Sequence, residues 1–145
     1  MGRALETLLP CAEILIVDHD SGDATHRIAH QYGARIVGAT RDAGAEDYLN
    51  LVGNDWIFCL EPRESLTESL QVSLFEWNAL LPQNVANASA FSIHLRQQVG
   101  DVWADSLIPE VRLVPRNWAL WRGRLPAYDP SAIALQGELL RFAYP

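Results

Sequence analysis

Charged side chains cluster at two points of the sequence, each directly after a short apolar run. The clusters cover residues 18–23 and 61–64, and their charged members are Asp18, Asp20, Asp23, Glu61, Arg63 and Glu64. Carboxylate oxygens are hard ligands, so two such clusters brought together would hold a divalent cation bound to a diphosphate. The residue types therefore indicate a phosphate-bearing ligand, provided that the fold joins the two clusters.

The elements that would position these clusters alternate between strand and helix. Residues 13–18 and 55–60 are continuous apolar runs, which are typical of strands buried on both faces of a parallel sheet. The pattern also predicts a short strand at 35–37 and helices at 23–32, at 45–51 and from Ser65 or Thr67 to Leu81. This alternation favours an α/β fold, with a mainly parallel sheet and flanking helices. In such sheets ligands bind outside the carboxyl ends of the strands, where both clusters lie.

The second half of the chain has a different pattern. Residues 90–96 alternate between apolar and polar, as a half-buried antiparallel strand does. Residues 111–114 predict another short strand, and residues 135–144 favour a strand over a helix. An antiparallel portion is therefore expected beside the parallel sheet. The length of 145 residues fits a single domain.

Composition excludes some function classes. The net charge is −7 and the basic residues are all arginines without a basic stripe, which argues against nucleic acid as a partner. No apolar run reaches the roughly 18–20 residues of a transmembrane segment, and the first residues lack a signal-peptide pattern, so a cytoplasmic location is expected. Four arginines gather at Arg112, Arg116, Arg122 and Arg124; a solvated face is favoured there over a local anion site. Cys11 and Cys59 are expected to be buried free thiols.

Three stretches carry a resemblance to a known family. Residues 17–25 and 32–36 match V-D-S-G-S-T-D-x-T and Y-G-A-R-V, and residues 54–64 match G-D-W-I-L-x-L-D-A-D-E. These are motifs of glycosyltransferase family 2, of the bacterial lipopolysaccharide-core type, which the chain resembles over residues 4–81. The resemblance implies a GT-A fold over residues 1–145, with 4–81 as the nucleotide-sugar-binding half and 82–145 as a divergent acceptor-side half.

The same resemblance implies which residues would contact the nucleotide sugar. They are Asp18, Asp20, Asp23, Glu61 and Arg63. For Asp18 the alternative is a strand-end residue bonded to the adjacent turn, and Asp23 is favoured as a helix N-cap. His26 and His30 lie one helical turn apart, but no third ligand is evident, so no metal site is predicted.

Departures from the family fall on the residues that do its chemistry. The metal-binding D-x-D corresponds to Glu61, Pro62 and Arg63, so the second carboxylate is replaced by a guanidinium that would pair with phosphate directly. The H-E pair that carries the proposed base corresponds to Pro126 and Ala127, and the catalytic residues are therefore unknown. In the family a further strand lies between the strands predicted at 13–18 and 55–60. It has no counterpart in this sequence, so the gap must be closed by direct pairing or by a partner chain.

Two functional hypotheses remain open. The favoured one is a catalytically impaired or inactive relative of these transferases, which binds a nucleotide-diphosphate sugar or self-associates as a homo-oligomer that compensates for the strand. The alternative is an active compact glycosyltransferase, which would need Mn²⁺ or Mg²⁺ as cofactor.

Overall fold

Strands make up most of the regular structure. The structure, a computed structural model, describes residues 2–18, 23–39, 43–79 and 90–143. These ranges contain ten strands, three α-helices and one 3₁₀ helix. In the described part of the chain, no helix is both long enough and apolar enough to cross a bilayer.

The elements have the following bounds. The helices are α1 (Gly2–Glu6), α2 (Asp23–Gln31), the 3₁₀ helix (Ala45–Leu51) and α3 (Glu68–Ala79). The strands are β1 (Leu15–Asp18), β2 (Arg35–Gly38), β3 (Trp56–Phe58), β4 (Glu64–Leu66), β5 (Phe91–Val99), β6 (Val102–Asp105), β7 (Glu110–Pro115), β8 (Trp121–Arg122), β9 (Leu125–Pro126) and β10 (Ile133–Arg141).

The strands form one large sheet and two small ones. Five strands of the large sheet follow the order β3-β7-β5-β10-β4, and β6 pairs with β5 as the sixth strand. On one edge of β5, β7 pairs with residues 91–93 and β6 with residues 96–99, while β10 pairs with the other edge. Strands β1 and β2 form a separate parallel pair, and β8 and β9 form a hairpin.

The prediction of a mainly parallel α/β sheet of the GT-A type is wrong. Among the described residues only β1–β2 and β5–β10 pair in parallel, and the other five strand pairings are antiparallel. The alternation of strand and helix ends after β3. There the chain turns at residues 61–64 and enters β4, which lies antiparallel to β10, before α3 begins. The result is a mixed and mostly antiparallel sheet with few helices.

Several individual elements were predicted correctly. The strands expected at 13–18 and 35–37 are β1 and β2, and the helix expected at 45–51 is the 3₁₀ helix. The strands expected in the second half are β5, β7 and β10. The helix expected to be capped by Ser65 or Thr67 begins at Glu68, and Thr67 is its cap, since Thr67 Oγ1 accepts from the Leu70 N–H at 3.3 Å, whereas Ser65 lies in β4. Its expected last residues, 80 and 81, lie outside the described residues.

The large sheet is strongly curled. Strands β3 and β4 occupy opposite ends of its path, yet only residues 59–63 connect them, and they form a turn in which the Glu64 N–H donates to the Glu61 carbonyl. In addition, Arg112 on β7 contacts Glu64 on β4 at 2.6 Å although two strands lie between them in the sheet. Adjacent strands are about 4.8 Å apart, so a flat sheet would separate these strands by roughly 14 Å.

Apolar side chains cover both faces of this sheet. The larger core cluster joins α3 to the strands through buried residues, namely Leu66, Leu70, Leu74, Trp77, Phe91, Ile93, Leu95, Leu113 and Leu139. A smaller cluster contains Val114 with the partly buried Trp118 and Trp121. Leu113 and Val114 are neighbours on β7 but belong to different clusters, because successive side chains of a strand point to opposite faces.

Gly137 allows α3 to approach β10 closely. Its φ is +110°, and the register between β10 and β5 shifts between Ala134 and Glu138, around this residue. A Cβ at Gly137 would lie 2.4 Å from the backbone nitrogen of Leu70, in the first turn of α3. Glycine is therefore required here both by backbone conformation and by the packing of the helix.

We expect Gly137→Ala to lower the free energy of unfolding by about 2–5 kcal/mol, since it combines an unfavourable positive φ with overpacking against backbone atoms. Urea denaturation followed by circular dichroism measures the change. Gly38→Ala is the matched control, because nothing lies within 4 Å of the added methyl group and the backbone φ is not positive. Equal stabilities of the two variants would contradict this account of Gly137.

Candidate functional site

A cavity of about 660 Å³ lies between β1 and β3. Its walls include residues 12–17 on one side and residues 54–62 on the other. Among the described residues β1 pairs only with β2, and β3 pairs only with β7. The two strands predicted to face each other across a gap therefore do not pair directly, and the cavity occupies the space between them.

The walls of the cavity are mainly apolar and come from both core clusters. Leu74 and Trp77 contribute from the cluster around α3, and Trp121 contributes from the smaller cluster. Tyr48 and Leu49 of the 3₁₀ helix line it as well. A cavity of this size and character lies within the usual range of ligand sites, about 300–1,000 Å³.

Few charged groups line the cavity. They are Glu13, Asp55, Glu61 and Arg124. The Gly53 N–H donates to Glu13 Oε1 at 2.9 Å, and Arg35 Nη2 donates to Glu13 Oε2 at 2.9 Å. These bonds, the Gly53 bond foremost, lower the pKa of Glu13. This carboxylate therefore carries its charge at neutral pH and ties β1 to the loop that precedes β3.

The predicted residues of the first acidic cluster lie at or beyond the end of β1. Asp18 is the last residue of β1, and its side chain is only 10% exposed, with Oδ2 3.9 Å from His26 Nε2. Asp18 is not among the residues that line the cavity. Asp20 lies outside the described residues, and Asp23 is the first residue of α2. His26 and His30 are both exposed.

The predicted residues of the second cluster separate from one another. Glu61 lines the cavity. Arg63 is exposed and donates from Nη1 to the Ala143 carbonyl at 3.4 Å, away from the lining of the cavity. Of the predicted nucleotide-sugar contacts in the described part of the chain, Glu61 is thus the one placed at the cavity. The nucleotide-sugar site itself stays a prediction.

Glu64 instead belongs to a buried ion network. Glu64 and Arg112 are both 0% exposed, and the Arg112 guanidinium donates to both Glu64 oxygens, at 2.6 and 2.8 Å. Arg141 Nη2 adds a bond to Glu64 Oε2 at 2.9 Å, and the Glu61 N–H donates to Oε1 at 2.9 Å. Burial would raise the pKa of Glu64, but its bonds to Arg112 and the charge of that guanidinium lower it. Both oxygens of Glu64 therefore accept hydrogen bonds from the protein, and Glu64 does not line the cavity. Its role is to hold the neighbouring strands in place.

We expect Glu64→Gln to lower the free energy of unfolding at pH 7 by about 3–5 kcal/mol, since buried Arg112 loses its hydrogen-bonded counter-charge and the Glu110 carboxylate, 3.9 Å from Arg112 Nη2, does not replace those bonds. Because the pKa of Glu64 is lowered on folding, its contribution is present above the unfolded value of 4.5 and is lost as the pH falls through the folded value. The difference between the wild type and this variant should therefore shrink in acid.

Urea denaturation at pH 7 and at lower pH measures both effects. Glu76→Gln, at an exposed position of α3, is the control and should change stability by less than about 0.5 kcal/mol. A Glu64→Gln variant as stable as this control at pH 7 would refute the structural importance of the ion network.

Both cysteines are free and line the cavity. Burial raises the pKa of Cys11 to about 11 and that of Cys59 to about 12. A nucleophilic cysteine needs a lowered pKa, because the thiolate is the reactive form. The cysteines are thus protonated at neutral pH and are apolar components of the cavity wall.

We expect iodoacetamide to alkylate the native protein slowly at pH 8, since only on the order of one thiol in a thousand would be ionised with a pKa near 11. The rate should continue to rise above pH 9. Mass spectrometry of the intact chain follows the reaction, with the urea-unfolded protein as the control. Equal rates for native and unfolded protein at pH 8 would show that the cavity does not suppress ionisation.

One group of possible metal ligands was not found from the sequence. His94, Asp105 and Glu138 lie on three adjacent strands and bring one ligand atom each within 4.8 Å of the others, the one such group in the described ranges. However, Arg96 Nε lies 3.2 Å from Asp105 Oδ1 and 3.5 Å from Glu138 Oε2. This guanidinium already places a positive charge beside both carboxylates, where it would repel a cation, so no metal is assigned. The sequence alone does not reveal this group, because its members come together only through the strand register, which pairs Glu138 with His94.

Comparison of the chain with models of known protein families and with curated proteins finds no match. The resemblance to glycosyltransferase family 2 therefore rests on the sequence motifs alone.

Proposed function

We propose that this protein is a non-catalytic binding domain that takes up part of another polypeptide chain in the cavity between β1 and β3. The observation that carries the proposal is the character of this cavity. It is large and mainly apolar, and it lies between two strands that do not pair with each other. A relation to the family 2 glycosyltransferases would make it an inactive descendant of these enzymes, with a cytoplasmic location.

The placement of the acidic groups argues against sugar transfer. A transferase of this type needs a carboxylate pair for the metal-bound diphosphate and a base for the acceptor hydroxyl. Glu64 is engaged by two arginines, and Arg63 bonds to the chain near its C-terminal end. Asp129 is the acid nearest in sequence to the family's base position, and it accepts bonds from the Ser131 N–H and hydroxyl at 2.9 and 2.8 Å.

A second candidate function is the active compact glycosyltransferase. Glu61 favours it, because this carboxylate lines the cavity and, unlike that of Glu64, accepts no hydrogen bond from the residues that the structure describes. In that case Glu61 would hold Mn²⁺ or Mg²⁺ together with the donor diphosphate.

Calorimetric titration of the full chain with UDP and with UDP-sugars, each with and without Mn²⁺, separates the two functions. We expect no binding heat beyond that of a titration with Mn²⁺ alone. Three of the four charged residues that line the cavity are carboxylates, which repel a diphosphate, and Glu61 is the one carboxylate that the sequence retains at the metal-binding D-x-D position. Metal-dependent binding in the micromolar range would refute the non-catalytic proposal. If such binding occurs, Glu61→Gln should abolish it, and Glu76→Gln should leave it unchanged.

A further inference from the structure

Within the described part of the chain, the backbone of β1 presents to the cavity hydrogen-bonding groups that pair with no other strand. The Arg35 N–H donates to the Ile14 carbonyl at 3.0 Å, and the Ala39 N–H donates to the Asp18 carbonyl at 2.7 Å. Since alternate residues of a strand direct their N–H and C=O groups to the same edge, residues 14, 16 and 18 pair with β2. The peptide groups of Leu15 and Val17 therefore point to the opposite edge, and both residues line the cavity.

The same alternation applies to β3 on the other side. The Cys59 N–H donates to the Arg112 carbonyl at 2.8 Å, and the Arg116 N–H donates to the Asp55 carbonyl at 2.7 Å. Residues 55, 57 and 59 thus pair with β7. The peptide groups of Trp56, Phe58 and Leu60 point away from β7, and these three residues also line the cavity.

Building on the proposed function, we infer that the polypeptide bound in the cavity is an extended strand that pairs with β1 on one side and with β3 on the other. Such a strand would satisfy the peptide groups of both edges at once and join the β1–β2 pair to the large sheet. This is recognition by addition of a strand, in which the main chain supplies affinity and the side chains supply specificity.

The walls of the cavity define the side chains that this strand would carry. Apolar groups from the α3 cluster, such as Leu74 and Trp77, and from the cluster that contains Trp121 both reach it. A strand covered by apolar groups on both faces is a continuous apolar run without polar alternation. The expected segment is thus about five apolar residues, the usual length of a strand.

Charge distinguishes a partner chain from a second copy of this protein. The charged residues that line the cavity comprise three carboxylates, Glu13, Asp55 and Glu61, and one guanidinium, Arg124. Basic residues flanking the apolar run would complement this excess of negative charge. A second copy has a net charge of −7 and no lysine, so we assign the strand to a basic partner chain.

Amide hydrogen exchange measured by NMR on the full chain tests the inference. In the free protein the amides of Leu15, Val17, Phe58 and Leu60 should exchange faster than those of Ile16, Ile57 and Cys59, which donate to neighbouring strands. The probe is a synthetic peptide of about five valine and isoleucine residues with a lysine at each end. Its addition should slow exchange of the first four amides by at least about tenfold and leave the other three unchanged.

Two control peptides separate strand pairing from nonspecific apolar contact. N-methylation of alternate peptide nitrogens removes the donors that face one edge and places methyl groups there, so it should abolish the protection of the amides on that edge, although the apolar surface is retained. Replacement of both lysines by glutamate should weaken binding. Equal protection by the N-methylated peptide would overturn the inference of strand pairing.

Other outcomes overturn it in distinguishable ways. If the four amides are already as protected in the free protein as their neighbours, the cavity offers no open edges. If their protection rises with protein concentration without peptide, the occupant is a second copy. If the peptide gives no protection and nucleotide sugars do not bind either, the strand inference fails while the non-catalytic assignment stands. Metal-dependent binding of a UDP-sugar would instead refute the proposed function itself.

Discussion

One buried carboxylate shared by two arginines constrains the whole architecture. Glu64 lies on β4 at one end of the large sheet, and Arg112 reaches it from β7, next to the other end. An ion pair removed from water needs further bonds to its remaining groups, and here Arg141, the Glu61 N–H and the Cys59 carbonyl supply most of them, while Arg112 Nε is buried without a partner among the described residues. The sheet must curl to allow this contact. Its curl is therefore tied to the electrostatics of one carboxylate as well as to apolar packing.

The same network fixes one wall of the cavity. Arg112 donates to the Cys59 carbonyl at 3.1 Å and so holds the end of β3 against β7. The other edge of β3 is then directed toward β1. On the opposite wall, Glu13 binds the Gly53 N–H and the Asn54 amide, which anchors β1 to the segment leading into β3. Both walls of the cavity are thus positioned by hydrogen-bonded carboxylates.

The sequence predicted elements whose signal is local. The strands predicted from the apolar run at residues 13–18 and from the alternating residues 90–96 are correct. Burial of a strand on one or both faces determines which of its consecutive residues are apolar, so the sequence pattern shows it directly. Strand β4 was missed because three residues are too few to show a period, and Ser65 and Thr67 are equally typical of helix caps. The parallel sheet was a wrong inference from correct early elements, since the direction of strand pairing depends on contacts between distant residues.

The interactions that matter most were invisible for the same reason. Arg112 and Glu64 are separated by 48 residues in the sequence. The cluster of arginines predicted that Arg112 lies on a solvated face, but Arg112 is fully buried. The candidate site shows a mixed result. The gap between the runs at 13–18 and 55–60 was expected, and the structure shows that direct pairing does not close it. Of the predicted contact residues, Glu61 could be placed at the cavity, while Arg63 points elsewhere because the turn into β4 carries it away.

The edges of β1 and β3 that stay unpaired within the described residues carry an energetic cost, which a strand bound in the gap would remove. A buried peptide group without a partner costs about 1–3 kcal/mol, and β1 and β3 together direct the peptide groups of five residues toward the cavity. Water can satisfy such groups only where it finds two to four polar partners, and apolar walls around the edges limit that number. A nucleotide, or a ligand without a polypeptide backbone, would form hydrogen bonds with few of these peptide donors and acceptors. An extended backbone repeats them at the spacing of a strand, so it is the ligand whose chemistry matches both walls.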